Sequence, residues 1–188
     1  MSADLLERAA AGELPEWACL KPKRRAHVER VATLMGEWAC VLAPGEEKRW
    51  RAAGWLHDAL RNANPDELRS TLAPEYAGWP AAVVHAPAAA ARLRVEGVSD
   101  EALLTAITYH PLGSPRLDTI GRALYVADYI EPGRTFDPYG NAVLRARMPR
   151  ALDQVVCEVA VARIRHALEE GKPLHPETVA FWNALAGP

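Results

Sequence analysis

A chain of 188 residues with 49% hydrophobic and 24% charged residues can bury the core of one domain without disulfide staples. No stretch approaches the ~18 consecutive apolar residues that a membrane span needs, and the N-terminus lacks the basic-then-apolar pattern of a secretory signal, so a cytoplasmic protein is expected. A net charge of −2 and a pI near 6.3 give no reason to expect a nucleic-acid partner, and any phosphate chemistry must rest on local charge.

Residues 1–20 read as a lead-in segment, a separable helix at most, ahead of one domain over 21–188. Alanine and leucine abound, Val/Ile/Thr alternation is nearly absent, and prolines stand where helices should begin or end, so the fold class expected is all-α, a single helical bundle. In chain order the helices are expected over 22–43, 45–61, 65–73, 87–96, 100–110, 116–131, 141–170 with a break near Pro149, and 176–186. Asn64, Ser99 and His175 each precede acidic or proline-led first turns and are expected as N-caps. The stretch 132–141, Pro-Gly-Arg-Thr-Phe-Asp-Pro-Tyr-Gly-Asn, is expected as an ordered loop. Cys19, Cys40 and Cys157 are far apart and form no CxxC pair, which argues against a disulfide framework or a thiolate zinc site and for reduced, mostly buried thiols.

The informative residues are polar ones on apolar faces. His27 shares a helical stripe with Val31, Leu34 and Trp38; His57 follows Trp50 and Ala53 and precedes Leu60; His110 ends a stripe of Leu103 and Ile107; Asp128 follows Leu117, Ile120 or Gly121, and Leu124. A buried histidine alone is usually a hydrogen-bonded core residue. A buried carboxylate is harder to accommodate, because an unpartnered ionised Asp costs several kcal/mol or more. Three imidazoles on neighbouring helices, with Asp58 beside His57, offer a common solution in a divalent metal held by nitrogen and carboxylate oxygen. Adjacent helical residues diverge by about 100°, so His57 and Asp58 can serve one ion only if it lies off the end or edge of their helix, and Asn62-Ala63-Asn64-Pro65 supplies an end.

Arg25-Ala26-His27-Val28-Glu29-Arg30-Val31, then Ala53-Gly54-Trp55-Leu56-His57-Asp58, then Ala127-Asp128, resembles the HD-domain superfamily of metal-dependent phosphohydrolases from about residue 20 to 186. Ala127-Asp128-Tyr129-Ile130-Glu131-Pro132-Gly133-Arg134, with Leu174-His175-Pro176-Glu177-Thr178, is similar to its YqeK-type branch of symmetrical diadenosine tetraphosphate hydrolases, which use a di-iron centre. The resemblance implies His27, His57, Asp58 and Asp128 as ligands of a first metal, with Asp58 bridging to a second held by His85 and His110. His57 and Asp58 would then stand at the catalytic centre. His85 precedes Pro87 at a helix entry, where it could be a ligand or a cap. Three departures from the branch pattern concern substrate preference: Pro111-Leu112 stands where two threonines are usual, Arg61 where a lysine is, and Phe136-Asp137-Pro138-Tyr139-Gly140 in place of Phe-Pro-Gly.

The expected activity is hydrolysis of a dinucleoside polyphosphate such as diadenosine tetraphosphate to two ADP by water activated at the metals. The alternatives are a broader HD nucleotide phosphohydrolase and a catalytically silent sensing or interaction module. Imidazole and carboxylate without thiolate admit iron, manganese, zinc, cobalt or nickel, and the resemblance favours two irons. Candidate phosphate binders are Arg61 and Arg134, tethered near ligands, and the Lys21, Lys23, Arg24 and Arg25 cluster, whose bland reading is a solvated helix start. Glu131, Asp137 and Tyr139 are read as turn structure, His166 and His175 as a late helical residue and a cap, and Trp38, Trp50 and Trp55 as core. Exposed Trp17 or Trp182 is a candidate contact for a homodimer.

Overall fold

The computed structural model describes residues 2–187, and all regular structure among them is helical. Ten α-helices follow one another: α1 (Ser2–Ala10), α2 (Pro22–Leu42), α3 (Glu47–Leu56), α4 (Pro65–Arg69), α5 (His85–Val95), α6 (Glu101–Tyr109), α7 (Thr119–Ile130), α8 (Pro138–Arg147), α9 (Leu152–Glu169) and α10 (Pro176–Ala186). The expected all-α bundle is therefore what the chain forms. Asn64 caps α4 by accepting from the Asp66 N–H, and His175 caps α10 by accepting from the Glu177 N–H, as their first turns suggested.

Several boundaries fall elsewhere, each for a local reason. The helix expected over 45–61 stops at Leu56, where the chain turns through Ala59 N–H to Leu56 and Arg61 N–H to Asp58. Asp100, not Ser99, caps α6, its carboxylate accepting from the Leu103 N–H. The expected 141–170 helix is two: Met148 is extended, as the residue before a proline tends to be, and separates α8 from α9. The loop expected over 132–141 is shorter, because Asp137 in a left-handed conformation caps the Gly140 N–H and Pro138 opens α8.

The core is built where α2, α3, α6, α7 and α9 meet, and Trp38, Trp50 and Trp55 are buried in it or against it. Ala9 and Ala10 of α1 are buried there too. Helices α2 and α3 come close because Gly54 has no side chain: a Cβ there would stand 2.5 Å from the Ala32 Cα. That approach carries His57, three residues later, toward His27 on α2.

The cysteine expectation is corrected: Cys19 and Cys40 are exposed and Cys157 is half-buried, all three as free thiols. Cys40 lies outside the buried stripe of α2 and its sulfur turns back to the Gly36 carbonyl, while Cys19 sits in the chain leading to α2. Trp17 and Trp182 are half-buried against the core rather than exposed, and the Trp17 indole N–H donates to Glu96 at 2.8 Å.

Candidate metal centre

Helix ends deliver most of the cluster. His57 and His110 are the C-cap residues of α3 and α6, His85 is the first residue of α5, and Asp58 lies one residue past the C-cap of α3. Helix α3 ends at Leu56, and the side chains of His57 and Asp58 meet off that end, with His57 Nε2 3.6 Å from Asp58 Oδ2. His27 comes from the N-terminal part of α2 and Asp128 from the last turn of α7. All six are buried, with exposures from 0% for His57 to 7% for Asp128.

The two oxygens of Asp58 face different partners. Oδ2 lies 3.7 Å from His27 Nε2 and 3.6 Å from His57 Nε2, whereas Oδ1 lies 3.0 Å from His85 Nε2 and 3.5 Å from His110 Nε2. Asp128 Oδ1 joins the first group, 3.1 Å from His27 Nε2 and 3.9 Å from His57 Nε2. An inner set of His27, His57 and Asp128 and an outer set of His85 and His110 thus share Asp58.

Partners on the far side of the rings decide which nitrogen faces the centre. His57 Nδ1 pairs with the Gly54 carbonyl at 2.7 Å and His110 Nδ1 with the Ile107 carbonyl at 2.8 Å. A carbonyl can only accept, so the protons sit on Nδ1 and both Nε2 lone pairs point inward. His27 Nδ1 lies 3.1 Å from Glu131 Oε1, and Glu131 also accepts from Arg30 and from the Gly133 N–H. Glu131 therefore orders the turn, as read from the sequence, and in addition orients His27.

Burial drives the His57 imidazole down to about 3 and lowers His85 as well, so both are neutral at pH 7. His27 goes the other way: burial opposes its charge, but the carboxylates of Asp128 and Glu131 outweigh burial and raise it. Asp58 and Asp128 are held well below the usual carboxylate range. Burial works against this, and the imidazoles around Asp58, and His27 with Arg163 and Arg134 around Asp128, overcome it.

His27 Nε2, His57 Nε2 and both ring nitrogens of His85 are buried without a hydrogen-bond partner. A buried polar atom left unpaired costs about 1–3 kcal/mol. Orphaned imidazole nitrogens converging with carboxylate oxygens are the donor set of a divalent transition metal, and the residues fit such an ion. The nearest ligand atoms of His27, His57 and Asp128, and those of His57, Asp58 and His110, lie within 4.8 Å of one another.

A cleft of about 830 Å³ reaches the centre, and its lining includes Asp58, His85, His110 and Asp128. His27 and His57 are not on its wall, so the outer set faces the cleft with Asp58 and Asp128, and the two inner imidazoles lie behind. Arg24, Arg61 and Arg134 line it, as do Arg163, Arg165 and Lys172, which sequence reading did not single out. Arg24 donates to Asp58 Oδ2 at 2.7 Å and Arg134 to Asp128 Oδ1 at 2.6 Å. Lys23 is exposed and does not line the cleft, and Arg25 turns away to the Gly12 carbonyl and the Trp55 ring. His175 caps α10 as expected but also lines the cleft, as does His166.

The HD domain, as a sequence family, matches residues 24–133, a stretch that contains all six of these residues. This chain belongs to the HD-domain family. A Staphylococcus aureus protein named bis(5'-nucleosyl)-tetraphosphatase, symmetrical, is 27% identical over 192 residues, covering 97% of this chain and 94% of that one. A Bacillus subtilis protein of the same name is 30% identical over 148 residues, covering 74% and 77%. A crystal structure from Clostridium acetobutylicum, of a predicted HD superfamily hydrolase involved in NAD metabolism, matches with a TM-score of 0.77 at 25% identity, covering 99% of this chain and 97% of that chain.

Proposed function

We propose that this HD-domain protein hydrolyses diadenosine tetraphosphate, and related dinucleoside polyphosphates, between the two central phosphates to give two nucleoside diphosphates. The observation that carries the reading is Asp58, whose two oxygens divide between two imidazole sets at the floor of an arginine-lined cleft. The names of relatives aligned over nearly the whole chain or three-quarters of it support the substrate class.

His27, His57, Asp58 and Asp128 would hold one divalent ion and Asp58, His85 and His110 a second. Such ions supply Lewis acidity toward a phosphoryl oxygen and lower the pKa of water. We take them to be iron, in a cytoplasmic enzyme; the thiolate-free donor set suits iron, and among the described residues no helix is long and apolar enough to cross a membrane. The chain's own part is to present neutral imidazoles, keep Asp58 and Asp128 ionised, and offset polyphosphate charge with Arg24, Arg61 and Arg134, whose planar forks suit phosphate. In the reaction, water oxygen bonds to an inner phosphorus, the bridging P–O bond breaks, and ADP leaves.

The test is anaerobic purification with metal analysis and an assay on diadenosine tetraphosphate in isotope-labelled water, with NAD as a comparison substrate. ADP alone, labelled on its terminal phosphate, is expected. AMP plus ATP would overturn symmetrical cleavage. His110→Ala should lower metal content from about two ions to about one, and a single ion in the native protein would remove the two-metal reading.

A further inference from the structure

Arg163 stands where α9 would otherwise continue its packing face. Leu152, Val155, Val156, Val159 and Ala160 are its buried residues, and Arg163 takes the next position on that stripe. A guanidinium is tolerated on such a face only where acceptors replace the water it loses. One Nη2 donates to Asp128 Oδ2 at 2.9 Å and to the Tyr125 carbonyl at 3.3 Å, and Nη1 donates to the Pro111 carbonyl at 3.3 Å. The rings of Tyr125 and Tyr129 lie 4.6 and 5.2 Å from the guanidinium carbon. Arg163 is thus fixed from several sides, and it ties α9 to α7 and to the turn after His110.

Its carboxylate contact is selective. Asp128 Oδ1 faces His27 and His57, while Oδ2, behind it, is the atom Arg163 holds. Arg134 does not duplicate this, because it donates to Oδ1 and to the Asp128 backbone carbonyl. We propose that Arg163 is a positioning residue: it fixes the rotation of the Asp128 carboxylate so that Oδ1 stays directed at the His27 and His57 nitrogens, and thereby sets the affinity of the inner half of the centre for a divalent cation. The inference rests on the reading of the cluster as a metal centre. The outer set makes no hydrogen bond to Arg163 and its affinity is independent of it.

The test titrates metal-free native, Arg163→Lys and Arg163→Met proteins with Mn²⁺, following free ion, alongside melting of the metal-free forms. In Arg163→Met one of two Mn²⁺ sites should weaken by about 10–100-fold, the range for residues that orient a ligand, with the other unchanged. Arg163→Lys should fall between, since an ammonium restores charge without the fork. Unchanged Mn²⁺ binding with a lowered melting temperature would make Arg163 a structural brace and overturn the proposal. So would unchanged Mn²⁺ binding with a raised KM, which would make it a substrate contact. If Arg163→Met does not fold, Arg163→Lys decides, and native-like affinity in it overturns the proposal. A native protein that takes up no Mn²⁺ would instead defeat the metal reading itself, along with this inference.

Discussion

A carboxylate with 2% of its surface exposed needs compensating charge on both oxygens, and in Asp58 Arg24 reaches Oδ2 while Oδ1 meets only the imidazole nitrogens of His85 and His110. Replacing Asp58 with Ala should abolish phosphohydrolase activity and deplete bound metal while leaving far-UV circular dichroism near native, because it lies just outside α3. Full activity in that variant would misassign the centre. Four of the six centre residues were legible in sequence for one physical reason: His27, His57, His110 and Asp128 carry polar groups on stripes whose other members are apolar. Arg163 gave the same signal on α9 and went unread, because a long flexible side chain near a helix end is usually taken to reach solvent. Glu131 gave none. It lies just past the last turn of α7, where periodicity ends, and only the folded chain brings it to His27, 104 positions away. Tertiary placement, not pattern, likewise separates Arg24 on the cleft from Lys23 beside it.

At the scale of elements, existence was read more easily than extent. The caps at Asn64 and His175 are local chemistry and were visible, whereas the stop of α3 at Leu56 is not marked by glycine or proline. That stop matters more than any cap, since it lets consecutive residues share one centre. The same α2 to α3 packing depends on Gly54. Gly54→Ala would drive a methyl into the Ala32 backbone, and overpacking of this kind costs about 1–3 kcal/mol. Lowered denaturation midpoint together with weakened metal binding is expected, and native stability in the variant would show that the helices can part freely. A second fastening joins α3 to the start of α6: Arg49 Nε and Nη2 donate to Asp100 at 2.5 and 2.8 Å. The Arg49 guanidinium holds the Asp100 carboxyl below its ordinary 3.8. A depressed acid contributes its stability above its unfolded value and loses it as pH falls through the folded one. Asn caps a helix as well as Asp, so Asp100→Asn isolates the charge. It should be less stable than native by about 1 kcal/mol near pH 7, the gap closing below pH 4 in urea unfolding. A gap that persisted undiminished at low pH would rule out the ion pair as its source.

For the whole molecule, a net charge of −2 hides an uneven distribution, with arginines gathered on one cleft around buried carboxylates. Those carboxylates and orphaned imidazoles join α2, α3, α5, α6 and α7 at one point, so an ion bound there would be held by most of the bundle at once. The unfolded chain offers no such site. Binding confined to the folded state adds about 2.7 kcal/mol when free metal is 100 times its dissociation constant, and for a chain of this size each kcal/mol moves the melting temperature by about 2–4 °C. Stripping metal with a chelator should therefore lower the melting temperature by roughly 5–10 °C, and adding ion back should restore it in a concentration-dependent way. The rise should be accompanied by proton release, because His27, raised by its two carboxylate neighbours, must give up a proton to offer Nε2 as a ligand. Calorimetric titration in two buffers of different ionisation heat measures that release directly. Equal melting temperatures with and without metal, and no proton released, would mean that the cluster folds as a self-contained polar network with no ion at its centre.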